Sequence, residues 1–491
     1  MNELRLGQND YERLHAHLFP GDHDEHGAIL LTGEHPHADG SSLLTVREVH
    51  LLSDEEFPPG KHGYRQLAAS ALARLGNRAA EERLTLISAH SHPGSGERTG
   101  LSCDDLASHE RVFEHLLNIT TARVVGGIAF GEHSAAGEIW TRDGQRSPLA
   151  QVRVVGSNID FLYDRPGEPV AASEERFDRQ LRLFGEIGQT RLRAMNVAVI
   201  GAGGGGSILI EQLAHLGVGR LTIIDPDIVK THNLSRIIGA TDNDARTKAK
   251  KVNVASRHVA QIDPTIQTQA IDDNIAELEV ARSLLDCDFM FLATDTVTAR
   301  LIANAIAHSF LIPMIQIGAK VDTNTSGGIE QIYTAVRPVL AGRGCLSCAG
   351  LIDPHALQRE AASPEERGNQ NYLGTAAIID PSVTTLNAAA AAGALNVFLM
   401  ATIGQATDAL AEHRVTLTRD GTTLQPQILR QPDCRWCGEK PTSRYARADI
   451  ALLPCRPAQP SIEQIERRPG LLKRLFSRCP CPPVRSASSS R

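Results

Sequence analysis

A glycine-rich turn between two short periodic segments constrains the fold of this 491-residue chain more than any other feature. The apolar run Asn196–Ile200 predicts a strand, residues 201–206 contain five glycines, and the amphipathic stretch 208–216 predicts a helix. Glycines at such a turn let the backbone approach phosphate groups, and the N–H groups that begin the helix favour negative charge. We therefore expect a Rossmann-like, doubly wound α/β domain whose nucleotide-binding positions are Gly201, Gly203, Gly204 and Gly206.

The glycine pattern alone leaves the ligand open, because the same turn serves NAD-dependent dehydrogenases and the run GGGGS also resembles a flexible linker. Polar residues further along the chain favour adenylation, a reaction that needs cationic and magnesium-binding groups where hydride transfer does not. Arg236 and Lys248 can neutralise a triphosphate, and Asp295 can hold Mg²⁺. Asp225, at the end of the next apolar run, can bind ribose hydroxyls. The complete series is Asp225, Asp227, Asn233, Arg236, Lys248 and Asp295.

These residues resemble the ThiF/MoeB family of ubiquitin-activating-enzyme-like adenylyltransferases, from the segment RFDRQ at residues 176–180 to the last CxxC pair. The resemblance implies ATP and Mg²⁺ as ligands and the C-terminal glycine of a ubiquitin-like or sulfur-carrier protein as substrate. It also implies a homodimer in which Arg179 reaches the ATP site of the partner subunit. Ile237 stands where the family usually has glutamine.

Two CxxC pairs, Cys345 with Cys348 and Cys434 with Cys437, can form a four-thiolate site for structural zinc. A disulfide or unrelated buried cysteines are the alternatives, and the family resemblance favours zinc. The crossover loop, about 350–377, contains no cysteine, which excludes a thioester at that place. We interpret Cys287 as a core residue, whereas Cys455, Cys479 and Cys481 lie in or near the tail and leave a mobile acceptor thiol open.

A second constellation lies near the N-terminus. His90 and His92 flank one residue at a strand end and can share one metal ion, because strand side chains alternate. Asp105 adds a carboxylate from the first turn of a predicted helix, which leaves a fourth position open, as in catalytic zinc sites. Glu25 can then act as the base. The competing interpretation is that Ser102 and Asp105 form only a helix capping box.

In order and context, Glu25, His90-x-His92-Pro93 and Ser102-x-x-Asp105 resemble the JAMM (JAB/MPN) metalloprotease family over residues 18–130. The resemblance implies a catalytic Zn²⁺ held by His90, His92 and Asp105. It also implies Glu25 as general acid/base and Ser102 as the group that steadies the tetrahedral intermediate. The loop between His92 and Ser102 is longer than the family pattern, which leaves Asp104 as an alternative ligand.

Length and composition set the domain organisation. We expect a mixed α+β JAB/MPN domain over 1–153, a linker over 154–172, a ThiF-type adenylation domain over 173–440 and a basic, disordered tail over 441–491. A net charge of -7 argues against nucleic-acid binding. We expect a cytoplasmic protein, since the N-terminus resembles no signal peptide, and we interpret the apolar stretch 388–400 as a buried helix rather than a membrane span.

These patterns together predict an enzyme that adenylates the C-terminal glycine of a ubiquitin-like protein and also cleaves after that glycine, before activation or after conjugation. A conjugating enzyme is a further expected partner in the second case. Activation of a sulfur carrier in cofactor or cysteine biosynthesis is the alternative within enzymes. A non-catalytic adaptor for a ubiquitin-like tail is the alternative outside them.

Overall fold

The structure is a computed structural model that describes residues 1–58, 65, 67–165, 175–323, 328–361 and 382–456. The first part of the chain is rich in strands and carries three helices. Its elements are β1 (Asn2–Gly7), α1 (Gln8–Leu18), β2 (Gly27–Pro36), β3 (Ser42–Leu51), α2 (Ala69–Glu82), β4 (Thr85–Ser91), α3 (Cys103–Thr120), β5 (Val124–Phe130), β6 (Ala135–Thr141), β7 (Arg146–Val155) and β8 (Ile159–Leu162).

The first sheet closes on itself. Its strand order is β1-β3-β2-β4-β5-β6-β7, β1 also pairs with β7, and β8 extends the sheet from β7. Strand β2 is buried on both faces, since Ala28 and Leu30 point into the barrel while Ile29 and Leu31 lie in the cluster that α2 and α3 cover. A strand covered on both sides needs apolar residues at consecutive positions, which explains the run GAILL. The N-terminal region is therefore a barrel-like sheet with helices on its outside.

The second part of the chain alternates helices and strands. Its elements are α4 (Asp178–Ala194), β9 (Asn196–Ile200), α5 (Gly204–Leu216), β10 (Arg220–Ile224), α6 (Asp242–Thr247), α7 (Lys251–Ile262), β11 (Gln267–Ile271), α8 (Leu278–Ser283), β12 (Phe289–Leu292), α9 (Val297–Ser309), β13 (Met314–Thr323), β14 (Ile329–Val339), α10 (Pro354–Ala361), α11 (Thr384–Thr402), β15 (Arg414–Leu417) and β16 (Thr422–Leu424).

The second sheet is doubly wound, as predicted. Its order is β11-β10-β9-β12-β13-β14-β15-β16, and the five strands from β11 to β13 are parallel. The chain order reverses between β9 and β12, so the crevice beyond their carboxyl ends is the place where such sheets bind ligands. The glycine turn follows β9, and Asp295 follows β12. The fold thus brings both to one crevice.

One described helix, α11, has the length and apolar composition of a membrane span. Its residues Ala390, Ala394 and Phe398 are buried in the core with strands β9 and β12. This agrees with the interpretation of 388–400 as a buried helix.

The two sheets meet through buried charges. Arg153 of β7 lies 2.8 Å from Glu3 Oε1 and 2.6 Å from Asp288 Oδ1, and its side chain is 3% exposed. Arg5 donates to Glu3 and to the carbonyl oxygen of Phe310 in the second domain. Burial opposes ionisation of Glu3, but Arg153 and Arg5 hold its pKa below the usual range.

Two predicted boundaries differ from the structure. The predicted linker begins inside β7 and contains β8, which pairs with β7. Residues 441–456, predicted as part of the tail, pack against both domains: Ala446 donates to His308 of α9 and accepts from the Thr45 hydroxyl of β3. The described chain therefore continues as folded structure to Arg456.

We predict that Arg153→Met lowers the free energy of unfolding by about 3–5 kcal/mol, because it leaves the buried Glu3 and the partly buried Asp288 without their shared cation. Urea unfolding followed by circular dichroism measures the loss. Arg165→Met removes an arginine that is 75% exposed and lies 3.5 Å from Asp164, and we expect it to cost less than about 1 kcal/mol. Equal losses in the two variants would contradict a structural role for the buried cluster.

Candidate functional site

The glycine turn after β9 admits no larger residue at two positions. Gly201 has φ +97°, and a Cβ atom there would lie 2.7 Å from the carbonyl oxygen of Ala293. A Cβ on Gly206 would collide with the carbonyl oxygen of Gly201. At Gly203, by contrast, a Cβ would meet nothing within 4 Å among the described residues, so this side of the turn is open to a ligand. The N-terminus of α5 faces the same opening and favours a phosphate group.

Asp225 organises the turn and the residues beside it. Its Oδ2 accepts a hydrogen bond from Ala202 N at 2.8 Å, and its Oδ1 accepts one from Asp227 N at 2.9 Å. Lys251, the first residue of α7, lies 2.7 Å from Asp227 Oδ2 and 3.5 Å from Asp225 Oδ1. The structure therefore supplies a cation beside the turn that the sequence analysis did not select.

Lys248, the lysine selected from the sequence, lies elsewhere. It ends α6 in a left-handed conformation with φ +54°, is exposed and makes no ion pair within the described part of the chain. The neighbouring Lys250 pairs with Asp272 at 2.9 Å. Of these three lysines, Lys251 is the one that contacts the aspartates beside the glycine turn, where a cation could neutralise the phosphates of ATP.

Two of the other predicted nucleotide residues, Arg236 and Asp295, lie near the glycine turn, whereas Asn233 and Arg179 make other contacts. Arg236 lies beside the turn, since a Cβ on Gly204 would approach its Cδ to 3.2 Å. Asp295 is exposed three residues after β12, and the two residues before it, Ala293 and Thr294, contact Gly201. Asn233 is buried, and its side-chain oxygen accepts from Lys230 N at 3.1 Å, a local capping role. Arg179 is 84% exposed and lies 3.8 Å from Asp178.

The four cysteines of the CxxC pairs converge on one point. The Sγ atoms of Cys345 and Cys434 are 3.6 Å apart, those of Cys348 and Cys437 are 3.5 Å apart, and those of Cys345 and Cys348 are 3.8 Å apart. Thiolates about 2.3 Å from a tetrahedral zinc ion lie about 3.8 Å from one another. Disulfide sulfurs would be only about 2.05 Å apart. The donor set fits a structural zinc ion.

The N-terminal histidines and Asp105 also converge. His90 Nε2 lies 3.0 Å from His92 Nε2 and 3.1 Å from Asp105 Oδ1, and His92 Nε2 lies 3.4 Å from Asp105 Oδ2. Nitrogen and oxygen ligands of one tetrahedral zinc ion are separated by about 3.3 Å. Burial opposes ionisation of Asp105, but hydrogen bonds from His90 and His92 hold its pKa far below the usual range. The set fits one divalent metal ion.

Ser102 and Asp105 form the predicted capping box, and the same geometry is compatible with a metal-ligand role for Asp105. Ser102 caps α3 by accepting from Asp105 N at 3.1 Å, and Asp105 Oδ2 accepts from Ser102 N at 2.7 Å. The same carboxylate still reaches both histidines. Asp104 is exposed and lies outside the cluster, so the structure brings Asp105 rather than Asp104 to the histidines.

The loop that carries Glu25 is fastened on both sides of that residue. Asp24 pairs with Arg65 at 2.6 Å, and His26 N donates to the hydroxyl of Ser91 at 2.9 Å. Ser91 stands between the two histidine ligands and is fully buried. Glu25 is partly buried, and its charge contributes to the raised pKa of His92, after the larger effect of the hydrogen bond to Asp105. Glu25 thus lies next to the cluster.

The remaining cysteines differ in exposure. Cys287 is fully buried, and burial raises the pKa of its thiol to about 12, which agrees with a core role. Cys103 is exposed beside Ser102. Burial raises the pKa of Cys455 to about 11. Cys479, Cys481 and residues 362–377 of the crossover loop lie outside the described residues.

Residues 177–436 match the ThiF family. Molybdopterin-synthase adenylyltransferase of Escherichia coli is 30% identical over 188 residues, which cover 36% of this chain and 74% of that protein. The SAMP-activating enzyme E1 of Haloferax volcanii is 29% identical over 147 residues, 30% of this chain and 54% of that protein. The chain thus spans about half the length of the latter relative.

Solved structures give a weaker likeness. Escherichia coli MccB bound to MccA-N7isoASN is 20% identical with a TM-score of 0.44, and the match covers 56% of this chain and 77% of that one. The ThiF match spans more than half of the chain and contains the glycine turn, the aspartates and both CxxC pairs, except for the last cysteine. The chain belongs to the ThiF family.

Proposed function

We propose that residues 173–440 use ATP and Mg²⁺ to adenylate the C-terminal glycine of a ubiquitin-like or sulfur-carrier protein. The observation that carries the proposal is the convergence of the open glycine turn with Asp225, Asp227 and Lys251 at the switch point of a ThiF-family sheet. Relatives of this family adenylate such partners: one is the sulfur carrier protein ThiS adenylyltransferase of Bacillus subtilis, 28% identical over 192 residues.

The chemistry needs positive charge more than it needs a nucleophile on the enzyme. A carboxylate oxygen of the substrate glycine attacks the α-phosphorus of ATP, and the bond to the leaving pyrophosphate breaks. Lys251, Arg236 and the N-terminus of α5 can stabilise the negative charge on the phosphates, and Asp295 can hold Mg²⁺. Lys251 takes the role that the sequence analysis gave to Lys248.

Arg179 fits a role across a homodimer. Its side chain is 84% exposed, and the same segment exposes Leu183 at 65% and Ile187 at 68%, on either side of a helix break at Gly185, where φ is +67°. Large exposed apolar side chains favour burial against a second protein surface. In the proposed dimer, this segment meets a second copy and Arg179 enters that copy's ATP site.

The absence of a cysteine in the crossover loop favours release of the acyl-adenylate to another acceptor. Sulfur-carrier activation is therefore the second candidate function, and molybdopterin-synthase and ThiS adenylyltransferases are among the relatives. A conjugating enzyme as the acceptor would instead favour protein modification. A reducing cytoplasm suits either function, because it keeps the zinc-binding thiols reduced.

We further propose that the N-terminal barrel is a JAMM-type zinc peptidase that cleaves after the same C-terminal glycine. The support is the metal-sized triangle formed by His90, His92 and Asp105, with Glu25 beside it. Zinc at this position would polarise the scissile carbonyl and lower the pKa of a water molecule to about 7. Glu25 takes the proton of the attacking water and passes it to the leaving amine, while the Ser102 hydroxyl can donate to the developing oxyanion.

A pure adaptor fits the same residues poorly. Binding a tail does not require a lysine between two aspartates at a glycine turn, nor three convergent metal ligands with a neighbouring glutamate. Assembling either set of residues lowers the stability of the fold, because it brings like charges together or removes charged groups from water.

We expect the protein to catalyse ATP–pyrophosphate exchange that depends on a carrier ending in glycine. Lys251→Ala should slow this exchange on the order of 100-fold, because it removes the cation beside the phosphates. Lys248→Ala is the matched control and should retain the wild-type rate. The assignment of Lys251 fails if the two variants behave alike, and the adenylation proposal fails if no glycine-terminated carrier supports exchange by the wild type.

For the peptidase, Glu25→Gln should keep its zinc but cleave a C-terminally extended carrier at least about 100-fold more slowly, since the variant lacks a base. Asp105→Asn should lose the zinc as well, and Asp104→Asn should lose neither zinc nor activity. Metal analysis measures the zinc content, and a gel assay of the extended carrier measures the cleavage rate. Undiminished cleavage by Glu25→Gln would exclude Glu25 as the base.

Metal analysis of the wild type should give about two zinc ions per chain, one for each donor set. Cys345→Ser should reduce this to about one and lower the thermal midpoint, because the site joins segments 89 residues apart. Cys103→Ser, which changes an exposed thiol outside both clusters, should retain two. A wild-type content near one would remove one of the two sites.

A further inference from the structure

Arg300 and Arg337 form a cationic cluster that the proposed chemistry does not use, and the buried His413, whose pKa burial lowers to about 4, lies uncharged beside it. Arg337 of β14 donates to Gln316 Oε1 at 2.6 Å and makes no ion pair within the described residues. Arg300 of α9 lies close enough that its charge, after the larger effect of burial, lowers the pKa of Arg337. The Nε atom of Arg300 and the Nε2 atom of the buried His413 find no hydrogen-bond partner in the part of the chain that is described.

The cluster belongs to the same sheet as the glycine turn, with Arg337 on the interior strand β14. Ile200, Leu292, Gln316 and Arg337 are successive partners in one row across β9, β12, β13 and β14. Ile200 immediately precedes the glycine turn, and Leu292 lies three residues before Asp295. Arg337 therefore lies in the same row of paired residues as Ile200, which leads into the glycine turn of the proposed ATP site.

Among the residues that the structure describes, no acidic side chain neutralises the cluster. The carboxylate of Glu360 in α10 lies near Arg300. Burial opposes its ionisation, but hydrogen bonds from Thr298 and Val297 and, to a smaller extent, the charge of Arg300 lower its pKa. Both of its oxygens are occupied, because Oε1 accepts from Val297 N and Oε2 accepts from Thr298 N and the Thr298 hydroxyl, at 2.7–2.8 Å. Glu360 thus caps α9 and forms no ion pair with Arg300 within the described residues. Partly buried guanidinium groups that have no counterion among the described residues can accept an anionic partner, which would offset the cost of their burial.

The two arginines and the glycine turn proposed to bind phosphate lie on opposite faces of the sheet. Helix α5, which the turn begins, packs on the side of Val197 and Val199. Helix α9, which carries Arg300, packs on the opposite side with Ala198 and Ile200. Guanidinium groups bind planar carboxylates with paired hydrogen bonds.

We propose that Arg300 and Arg337 bind a carboxylate in the C-terminal tail of the carrier protein and hold that tail against the α9 face of the sheet, beside Asp295. This inference rests on the proposed adenylation function and adds the recognition of its substrate. The carboxylate has two sources, the terminal glycine before adenylation or an acidic side chain a few residues upstream.

The test uses the full-length protein and eight-residue peptides that end in Gly-Gly. Calorimetry should show that Arg300→Gln and Arg337→Gln each weaken binding of an acidic, free-acid peptide on the order of 10-fold, as expected for a charge-assisted pair. Replacing the terminal carboxylate by an amide, or the upstream aspartate by asparagine, distinguishes the sources. The source is the group whose removal weakens wild-type binding and abolishes the difference between wild type and variants.

Exchange kinetics provide a readout that a structural defect would not reproduce. Both variants should raise the KM for carrier on the order of 10-fold, while the KM for ATP stays within about twofold of wild type. Arg300→Lys should recover part of the loss, and Arg359→Gln, an exposed arginine of α10, should change neither constant. A rise in the KM for ATP instead would assign the cluster to phosphate. Unchanged peptide affinity in both variants would overturn the proposal, even in a protein whose wild type catalyses exchange.

Discussion

The carboxylate of Asp288 is the point on which the two halves of the molecule depend. It stands immediately before β12, where Oδ1 binds Arg153 of the barrel and Oδ2 accepts from Asn196 N at the start of β9. Strands β9 and β12 are the neighbours between which the ligand crevice opens. A single, partly buried acid therefore sets the register of the nucleotide-binding strands and fastens them to the barrel. Because the desolvation of such a group is costly, the surrounding charges must stay paired.

The four-cysteine cluster supports a second connection between the adenylation domain and the barrel. It joins the turn after β14 to the segment beyond β16, and that segment continues to Tyr445 and Ala446, which contact β3 of the barrel through Arg47 and Thr45. A zinc ion held by the four cysteines would stabilise the path of a chain that has little regular structure of its own. The cysteine cluster and the domain interface thus hold the same segment, so a change at the cysteines would affect contacts far from them.

The sequence predicted the features that depend on local periodicity and on strand ends. The glycine turn, the aspartates after β10 and β12 and the capping of α3 by Ser102 all follow from neighbours in the chain. Closure of the barrel does not, because β1 pairs with β3 and β7, strands that lie far away in sequence. The choice among the lysines depends on local geometry that the pattern does not show. Lys248, Lys250 and Lys251 are almost adjacent, and the left-handed turn at Lys248 decides that Lys251 begins α7 and faces Asp227.

Asp105 explains why a capping motif and a metal motif could not be separated by pattern alone. A carboxylate in the first turn of a helix is stabilised as an anion by the helix dipole and by the N–H of the capping residue. An anionic carboxylate is also what a metal ion requires as a ligand. In α3, the hydrogen bond from Ser102 N fixes one side of the Asp105 carboxylate, and its oxygens still reach His90 and His92. Capping is therefore compatible with the proposed role of Asp105 as a metal ligand, because one carboxylate can serve the helix start and the proposed metal site together.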